Sequence, residues 1–276
     1  MSLILENKVL APSIHEFLME APEIARKAEP GQFVVLRINE KGERIPLTIA
    51  DYDRGEGTVT IVFQEVGKTT GQLGQLKAGD KISNLIGPLG RPSPLIEGGT
   101  VVCIGGGLGI APIYPIAASL KAKGNRVISI IGARNRELLI WEERMRKVSA
   151  ELRITTDDGS SGRQGFVSDE LRDLMDKGNK IDLVFAIGPV VMMRAVCEVT
   201  RPGKLRTLVS LNPIMVDATG MCGCCRVSVG KETKFACVDG PDFDGHKVNF
   251  EELIARQRIY LKEEKIAVER CSRRAE

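Results

Sequence analysis

TVVCIGGGLGIAPIYPIAASLKAKG, residues 100–124, is the stretch of sequence that decides the fold. An apolar run over residues 101–104 ends in a glycine-rich turn, and an amphipathic segment follows it. A buried strand that leads through glycines into a helix is the opening unit of a parallel α/β sheet. Such a turn lets the backbone approach a phosphate, to which the helix start offers free N–H groups. We predict a nucleotide-binding turn of Gly106, Gly107, Gly109, Ala111 and Pro112; a tight strand–helix junction without a ligand remains the alternative.

Strands and helices alternate downstream of this turn. NRVISIIGARN (125–135), ELRITTDDG (151–159) and IDLVFAIGP (181–189) have the composition of buried strands, whereas ELLIWEERMRKV (137–148) and VMMRAVCEVT (191–200) have that of helices. Such alternation is typical of a parallel sheet with helices on both faces. The sequence therefore predicts an α/β domain over residues 98–211.

Upstream of residue 98 the pattern changes to short strands separated by Gly, Pro and Asp. FVVLRI (33–38), RIPLTIA (44–50), TVTIVFQEV (58–66) and KISNLIG (81–87) are the clearest of these segments. Short strands at this spacing indicate a small antiparallel barrel. We predict that residues 1–97 form it.

Composition excludes several classes of protein. The chain has 276 residues, of which 43% are hydrophobic, so it is neither disordered nor fibrous. A formal net charge of +3, spread along the sequence, gives no basic stripe for nucleic acid. No apolar run approaches the ~20 residues that span a bilayer. We expect a cytoplasmic protein that binds neither nucleic acid nor membrane.

Four of the seven cysteines cluster in residues 222–237. In a reducing compartment this clustering favours metal ligation over disulfides. Plant-type [2Fe–2S] proteins use C-x4-C-x2-C and a distant fourth cysteine, and here a carboxylate stands at the first position. The predicted ligands are Asp217, Cys222, Cys225 and Cys237, within a cluster-binding segment of residues 212–250.

Two other interpretations of the cysteines remain open. The same four residues, or the same cysteines with His246 in place of Asp217, would suit zinc. Alternatively, the four cysteines are inert residues of a small core. Cys224 is interpreted as a non-ligand, and Cys103, Cys197 and Cys271 as core or incidental residues. Residues 251–276 are predicted to be a C-terminal helix.

Two motifs of the α/β domain point to a known superfamily. GGGLGIAP (105–112) and AIGPVVMM (186–193) together resemble the nicotinamide-binding domain of the ferredoxin–NADP reductase superfamily. Asp157 and Asp158 favour NAD over NADP, since a carboxylate accepts hydrogen bonds from ribose hydroxyls and repels a 2′-phosphate. Arg134 and Arg136 point the other way, because guanidinium groups bind phosphate well. A plain Asp-Gly turn is the alternative explanation of the two aspartates. The resemblance adds Arg134, Asn135, Asp157, Asp158, Gly188, Pro189 and Met192 as candidate residues for binding NAD(H).

Reductases of this superfamily hold a flavin in the barrel, which here implies FAD. Thr48 is the candidate catalytic residue, because its hydroxyl would meet the flavin edge near N5, and Leu47 would cover the ring. Amides of residues 67–70, at a predicted helix start, would hold the pyrophosphate. The candidate FAD-binding residues are Arg44, Pro46, Leu47, Thr48, Val62, Phe63, Gln64, Gly67, Lys68, Thr69 and Thr70. A plain strand after Pro46 is the alternative.

The order of barrel, nicotinamide domain and D-x4-C-x2-C-x11-C segment resembles one family over essentially the whole chain. This is the small subunit of NADH-dependent reduced ferredoxin:NADP oxidoreductase, also known as sulfide dehydrogenase β subunit. The resemblance implies FAD, an Asp-ligated [2Fe–2S] cluster and NAD(H). It also implies a heterodimer with a larger FAD and [4Fe–4S] subunit, which bifurcates electrons from NADPH toward ferredoxin and NAD.

Three alternatives to this family remain. The electron-transfer subunit of dihydroorotate dehydrogenase has the same architecture, but it normally carries a fourth cysteine where Asp217 stands. A hydrogenase-type diaphorase would differ in its large partner. A zinc-stabilised binding module, the alternative that is not an enzyme, would hold neither flavin nor iron.

Overall fold

The protein is described by a computed structural model that covers the backbone of residues 1–272 and the side chains of residues 1–270. An antiparallel sheet of seven strands forms its N-terminal part. The strands are β1 Ser2–Ala11, β2 Ile14–Glu20, β3 Phe33–Arg37, β4 Ile45–Asp53, β5 Thr58–Gln64, β6 Lys81–Ile82 and β7 Asn84–Leu89. Two short helices accompany them, α1 Pro22–Lys27 and α2 Lys68–Gly74. The predicted barrel is confirmed, although its first hairpin, β1–β2, was not predicted.

This sheet curls until it is nearly closed. Its strand order is β6-β1-β2-β5-β4-β3-β7, and the two edge strands, β6 and β7, follow each other with only Ser83 between them. The edges therefore have to meet. Alternate side chains point inward, and fully buried residues such as Phe17, Phe63 and Ile61 fill the interior. The alternate side chains of β5, which include Val62 and Gln64, therefore lie on the outer face of the barrel.

A second sheet carries the predicted α/β domain, and its strand order is β11-β10-β9-β8-β12-β13-β16. Its strands are β8 Thr100–Gly106, β9 Arg126–Ala133, β10 Glu151–Thr156, β11 Arg163–Gln164, β12 Leu183–Ile187, β13 Thr207–Ser210 and β16 Asp242–Asp244. The two strands between β13 and β16, β14 Arg226–Val229 and β15 Glu232–Phe235, form a small separate hairpin. The helices are α3 Ile110–Ala122, α4 Glu142–Val148, α5 Val167–Asp176 and α6 Val190–Thr200. Two buried hydrophobic clusters cover the faces of the sheet.

The sheet is not purely parallel. Strand β16 comes from the cysteine segment and pairs antiparallel with β13, so that Ser210 lies opposite Asp242. A three-residue strand gives too short a pattern to be predicted from sequence. Its pairing joins the cysteine segment, which also contains α7 Ala236–Asp239, to the edge of the α/β domain.

The predicted C-terminal helix is two helices, α8 Phe250–Gln257 and α9 Leu261–Ser272. Arg258 donates its N–H to the Ala255 carbonyl three residues back, which tightens the last turn and ends α8. The final four residues of the predicted helix lie outside the described residues. Within residues 1–272, no helix combines the length and apolar character needed to cross a bilayer.

Candidate functional site

A cavity of about 890 Å³ lies between the barrel and the carboxyl edge of the second sheet. Its barrel wall consists of Pro46, Leu47 and Thr48 from β4 and of Val62 and Gln64 from β5. The β4 residues are half-buried, so their side chains are accessible from the cavity. Apolar and hydroxyl groups thus face a space that is large enough for a flat cofactor.

The opposite wall is built where the parallel strands end. It contains the predicted residues Gly106, Gly107, Gly109, Pro112, Arg134, Asp157, Gly188, Pro189 and Met192. Gly107 has a φ of 53°, and Gly107–Gly109 form one turn of 3₁₀ helix before α3 begins. Ligands of open α/β sheets bind at this edge. The structure therefore brings residues of both predicted binding sites to one cavity.

Several predicted residues do not line this cavity: Arg44, Phe63, Gly67, Lys68, Thr69, Thr70, Ala111, Asn135 and Asp158. Phe63 fills the barrel interior, where its ring lies 4.9 Å edge-on from that of Phe17. Asn135 accepts the N–H of Leu138 and so caps a short helical turn. Arg44 is exposed just before β4 begins. Their binding roles stay predictions.

The predicted helix start at residue 67 is present. Gly67 caps α2, and the Thr70 hydroxyl accepts the N–H groups of Val66 and Gly67 at 3.0 and 3.1 Å. Thr69 is buried and donates its hydroxyl to Glu43. Hydroxyls in this turn therefore fix the backbone of the helix start, whose amides are the predicted pyrophosphate donors.

The two predicted aspartates differ in environment. Asp157 lines the cavity at the end of β10. Asp158 instead accepts the backbone N–H and the hydroxyl of Ser160, which lowers the pKa of its carboxyl. Asp158 is thus engaged in a turn of its own, whereas Asp157 lines the cavity; the role of both in binding NAD(H) stays a prediction.

The four predicted metal ligands lie in two contacting pairs. The Sγ atoms of Cys225 and Cys237 are 3.2 Å apart, and both residues are only 2% exposed. The Asp217 carboxylate accepts the N–H groups of Thr219 and Cys222 at 2.9 and 3.1 Å, and the Thr219 N–H is the main cause that lowers its pKa. Among the side chains of residues 1–270, no three of His, Cys, Asp or Glu are gathered closely enough to enclose an ion.

The chemistry of this loop suits an iron–sulfur cluster. Backbone N–H groups approach two of the sulfurs, from Cys237 to the Cys225 Sγ and from Cys224 to the Cys222 Sγ, both at 3.5 Å. Such N–H contacts stabilise sulfur ligands of a cluster. Gly220 and Gly223 have φ of 83° and 66°, and these left-handed conformations let the chain wrap closely around a ligand. Thiols and one carboxylate on a folded loop thus fit the predicted donor set.

Two of the remaining cysteines lie in the core, as interpreted from the sequence, whereas the interpretation of Cys224 as a non-ligand stays a prediction. Cys103 and Cys197 are buried in the two core clusters, and burial raises the pKa of both thiols, that of Cys197 to about 12. Cys224 is partly exposed, and its carbonyl accepts from Arg256 at 2.9 Å. The Cys271 side chain lies outside the described residues.

Sequence reasoning missed part of the cavity wall. Phe166 is 63% exposed at the start of α5, and the start of the cysteine segment adds Asn212, Pro213 and Met215. No helix was predicted over α5, although acidic residues in its first turn are a helix signal, and one of them, Asp169, accepts the Phe166 N–H in the structure. No local signal marks residues 212–215, which reach the cavity through the pairing of β13 and β16.

Two family models match the chain. Residues 103–198 match the oxidoreductase NAD-binding domain, and residues 212–249 match the iron–sulfur cluster binding domain of dihydroorotate dehydrogenase B. The second match supports iron–sulfur over zinc for the cysteine loop. It also covers all four predicted ligands.

Relatives extend the similarity to nearly the whole chain. The homolog of the dihydroorotate dehydrogenase B (NAD(+)) electron transfer subunit from Thermotoga maritima is 45% identical, with 97% of this chain and 94% of that protein covered. The corresponding electron transfer subunit from Desulforamulus reducens is 33% identical, with 91% and 100% covered.

A solved structure has the same fold throughout. One chain from the NADH-dependent reduced ferredoxin-NADP oxidoreductase, solved to study flavin-based electron bifurcation, superimposes with a TM-score of 0.93. It is 44% identical, with 98% of this chain and 97% of that chain covered. The resemblance predicted from the sequence is confirmed.

Proposed function

This chain belongs to the family of the dihydroorotate dehydrogenase B electron-transfer subunits and their homologues, and from that premise we propose that it passes electrons between a [2Fe–2S] cluster, FAD and NAD(H). In this proposal it is the small subunit of an electron-bifurcating heterodimer whose larger partner carries a second FAD and [4Fe–4S] clusters. NADP(H) and ferredoxin would react at that partner.

The shared cavity carries the proposal. Thr48 and Leu47 of the barrel and Gly188 and Pro189 of the sheet border one space. A flavin ring on the first wall and a nicotinamide on the second would therefore meet directly. A flavin can accept a hydride from nicotinamide and then pass single electrons to a cluster. Protein side chains cannot perform this conversion, so a flavin is needed between the two carriers. We assign Thr48 to orient the flavin edge and Leu47 to exclude water from it.

The cysteine loop is connected to this cavity. Asn212, Pro213 and Met215 line the cavity just before Asp217, and Pro241 lines it just after Cys237. Cys225 and Cys237 also belong to the same buried cluster as Phe33, another cavity-lining residue. Packed protein thus links the proposed cluster to the proposed flavin. We assign residues 1–97 to FAD, 98–211 to NAD(H) and 212–250 to the cluster.

The main alternative is the dihydroorotate-type subunit. Identity does not separate the two, since it is 44% to the ferredoxin-NADP oxidoreductase chain and 45% to the Thermotoga maritima homolog of the dihydroorotate-type subunit. Asp217 at the first ligand position departs from an all-cysteine set, and this observation favours the bifurcating complex.

Purification from the native cell without oxygen tests the proposal. We expect a yellow-brown complex of this chain with a larger flavin and iron–sulfur subunit, in which this chain contributes about two irons beyond those of its partner. Its flavin is expected to bleach on addition of NADH. A colourless, zinc-containing protein would refute it. Recovery with a dihydroorotate-oxidising partner would establish the alternative.

Asp157 gives a test of nucleotide preference. Its carboxylate lines the cavity, where it would repel a 2′-phosphate. For Asp157→Ala we expect the preference for NADH over NADPH, as the ratio of kcat/KM values, to fall roughly five- to tenfold, since a repulsion on the order of 1 kcal/mol is removed. Asp158→Ala is the matched control, because Asp158 is engaged in its own turn. Equal ratios in the wild type and the Asp157 variant would contradict the assignment.

A further inference from the structure

A cation lies between two aromatic rings where α4 meets the barrel. The Arg144 Cζ atom is 4.0 Å from the centroid of the Trp141 ring and 4.5 Å from that of Tyr114. The two rings are themselves 5.4 Å apart and nearly perpendicular, at 76°. Stacking of a guanidinium on aromatic faces is a favourable and orientation-dependent contact. The guanidinium is thereby held in one position.

Two carboxylates of the barrel complete this cluster. Asp51 of β4 pairs with the Arg144 guanidinium. Glu16 of β2 accepts the indole N–H of Trp141 at 2.6 Å and lies 4.0 Å from Arg144. We name Glu16, Asp51, Tyr114, Trp141 and Arg144 the interdomain latch. It joins two barrel strands to α3, α4 and the turn before α4.

Trp141 has a strained backbone. Its φ of 55° and ψ of 25° place a bulky residue in the left-handed region, which such residues rarely adopt. The residue is nevertheless 9% exposed and hydrogen-bonded through its ring. Strain of this kind persists only where surrounding contacts hold it, and it concentrates at functional positions. The barrel supplies one of those contacts through Glu16.

The latch connects the two walls of the cavity. Asp51 lies on the same strand as Thr48, and Tyr114 lies on the same helix as Pro112, two residues away. Thr48 and Pro112 both line the cavity, on its barrel and sheet sides respectively. A change at the latch would therefore shift one wall relative to the other. None of the five latch residues lines the cavity itself.

A second contact joins the barrel to the cysteine segment. Arg91 donates its backbone N–H to the Gly240 carbonyl at 2.7 Å and its side chain to the Val238 carbonyl at 3.0 Å. Apolar packing crosses the same interface, because Ala50 and Val62 of the barrel belong to one buried cluster with Ile110 of α3. The latch adds polar, orientation-dependent contacts to this apolar packing.

We propose that the interdomain latch sets the distance between the nicotinamide and the flavin, and that Arg144 is its central positioning residue. The inference rests on the proposed function, since it takes the barrel to hold FAD and the sheet to hold NAD(H). Hydride transfer requires the reacting atoms to be about 3–3.5 Å apart. Two domains that each hold one reactant need a rigid connection to maintain that distance.

Arg144→Met tests the latch, and Arg146→Met is its matched control. Both arginines are on α4, but among the described side chains of residues 1–270 Arg146 forms ion pairs only with Glu142 and Glu143 of its own helix. For Arg144→Met we expect flavin reduction by NADH, measured by anaerobic stopped flow, to slow roughly tenfold or more. Flavin and iron contents are expected to stay at the wild-type level. The rate of flavin reduction in Arg146→Met is expected to stay within twofold of wild type. Arg144→Lys keeps the charge without the planar stacking, so its rate is expected to lie between those of Arg144→Met and Arg146→Met.

Trp141 is the only tryptophan of the chain, so its fluorescence reports on the latch without any nicotinamide. Arg144→Met is expected to shift the emission to longer wavelength and to increase quenching by acrylamide, while Arg146→Met leaves both unchanged. A wild-type reduction rate in Arg144→Met overturns the proposal, and so does a loss of its flavin. If NADH fails to reduce the wild type as well, the proposed function fails, whatever the fluorescence of the variants.

Discussion

Cys225→Ser will remove the iron from this protein while leaving its flavin bound. The Cys225 sulfur is buried and touches the sulfur of Cys237, so its replacement leaves a proposed cluster without one of its thiolates. We expect the iron content of the complex to fall by about two per heterodimer, which is the iron proposed for this chain. The absorbance and electron paramagnetic resonance of the reduced cluster should disappear with it. Flavin should remain, because its proposed site is on the barrel.

Cys224→Ser is the control for this substitution. It makes the same chemical change one residue earlier, at a partly exposed position whose carbonyl, rather than its sulfur, accepts the Arg256 hydrogen bond. We expect its iron content and spectrum to equal those of the wild type. Iron retained in Cys225→Ser, or iron lost in Cys224→Ser, would contradict the ligand assignment.

Asp217 calls for a more conservative substitution, because its carboxylate also holds the loop through the N–H groups of Thr219 and Cys222. Asp217→Asn keeps an oxygen that accepts a hydrogen bond and removes the negative charge. We expect a shifted cluster spectrum or a less stable cluster. An unchanged spectrum would argue against ligation by the carboxylate.

Local signals predicted the framework of both domains. The apolar strand at residues 101–104 and its glycine turn appear in the structure as β8 and the start of α3. The barrel strands that follow Pro, Gly and Asp turns were likewise found. These elements were predictable because their burial is nearly complete on one or both faces, which leaves a clear hydrophobic period in the sequence.

Non-local pairing explains what the sequence did not reveal. Strand β1 has few buried positions, so its alternation is weak, and only pairing with β2 and β6 defines it. Strand β16 acquires its place through β13, more than thirty residues earlier in the chain. The latch joins Glu16 to Trp141 across 125 residues of sequence. Single-sequence patterns carry no information about which distant segments come together.

Gly109→Ala has the largest expected effect on nucleotide binding. A Cβ atom at Gly109 would lie 2.1 Å from the carbonyl oxygen of Ile187 and 2.6 Å from its carbonyl carbon. Ile187 ends β12, which is held between β8 and β13 and has little freedom to move. The start of α3 must therefore shift away, and the turn that would cradle the pyrophosphate shifts with it. We expect the Kd for NADH to rise roughly a hundredfold.

The readout of this substitution separates lost binding from lost structure. Dithionite should still reduce the flavin and the cluster of Gly109→Ala, since both proposed sites lie outside the turn, while reduction by NADH should require far higher concentrations. Gly203→Ala is the control, because its Cβ would meet only ordinary contacts at 3.7 and 3.9 Å, in the loop between α6 and β13. A wild-type NADH affinity in Gly109→Ala would mean that this turn does not hold the dinucleotide, and a parallel loss of flavin would mean that the clash disrupts the domain rather than the binding turn.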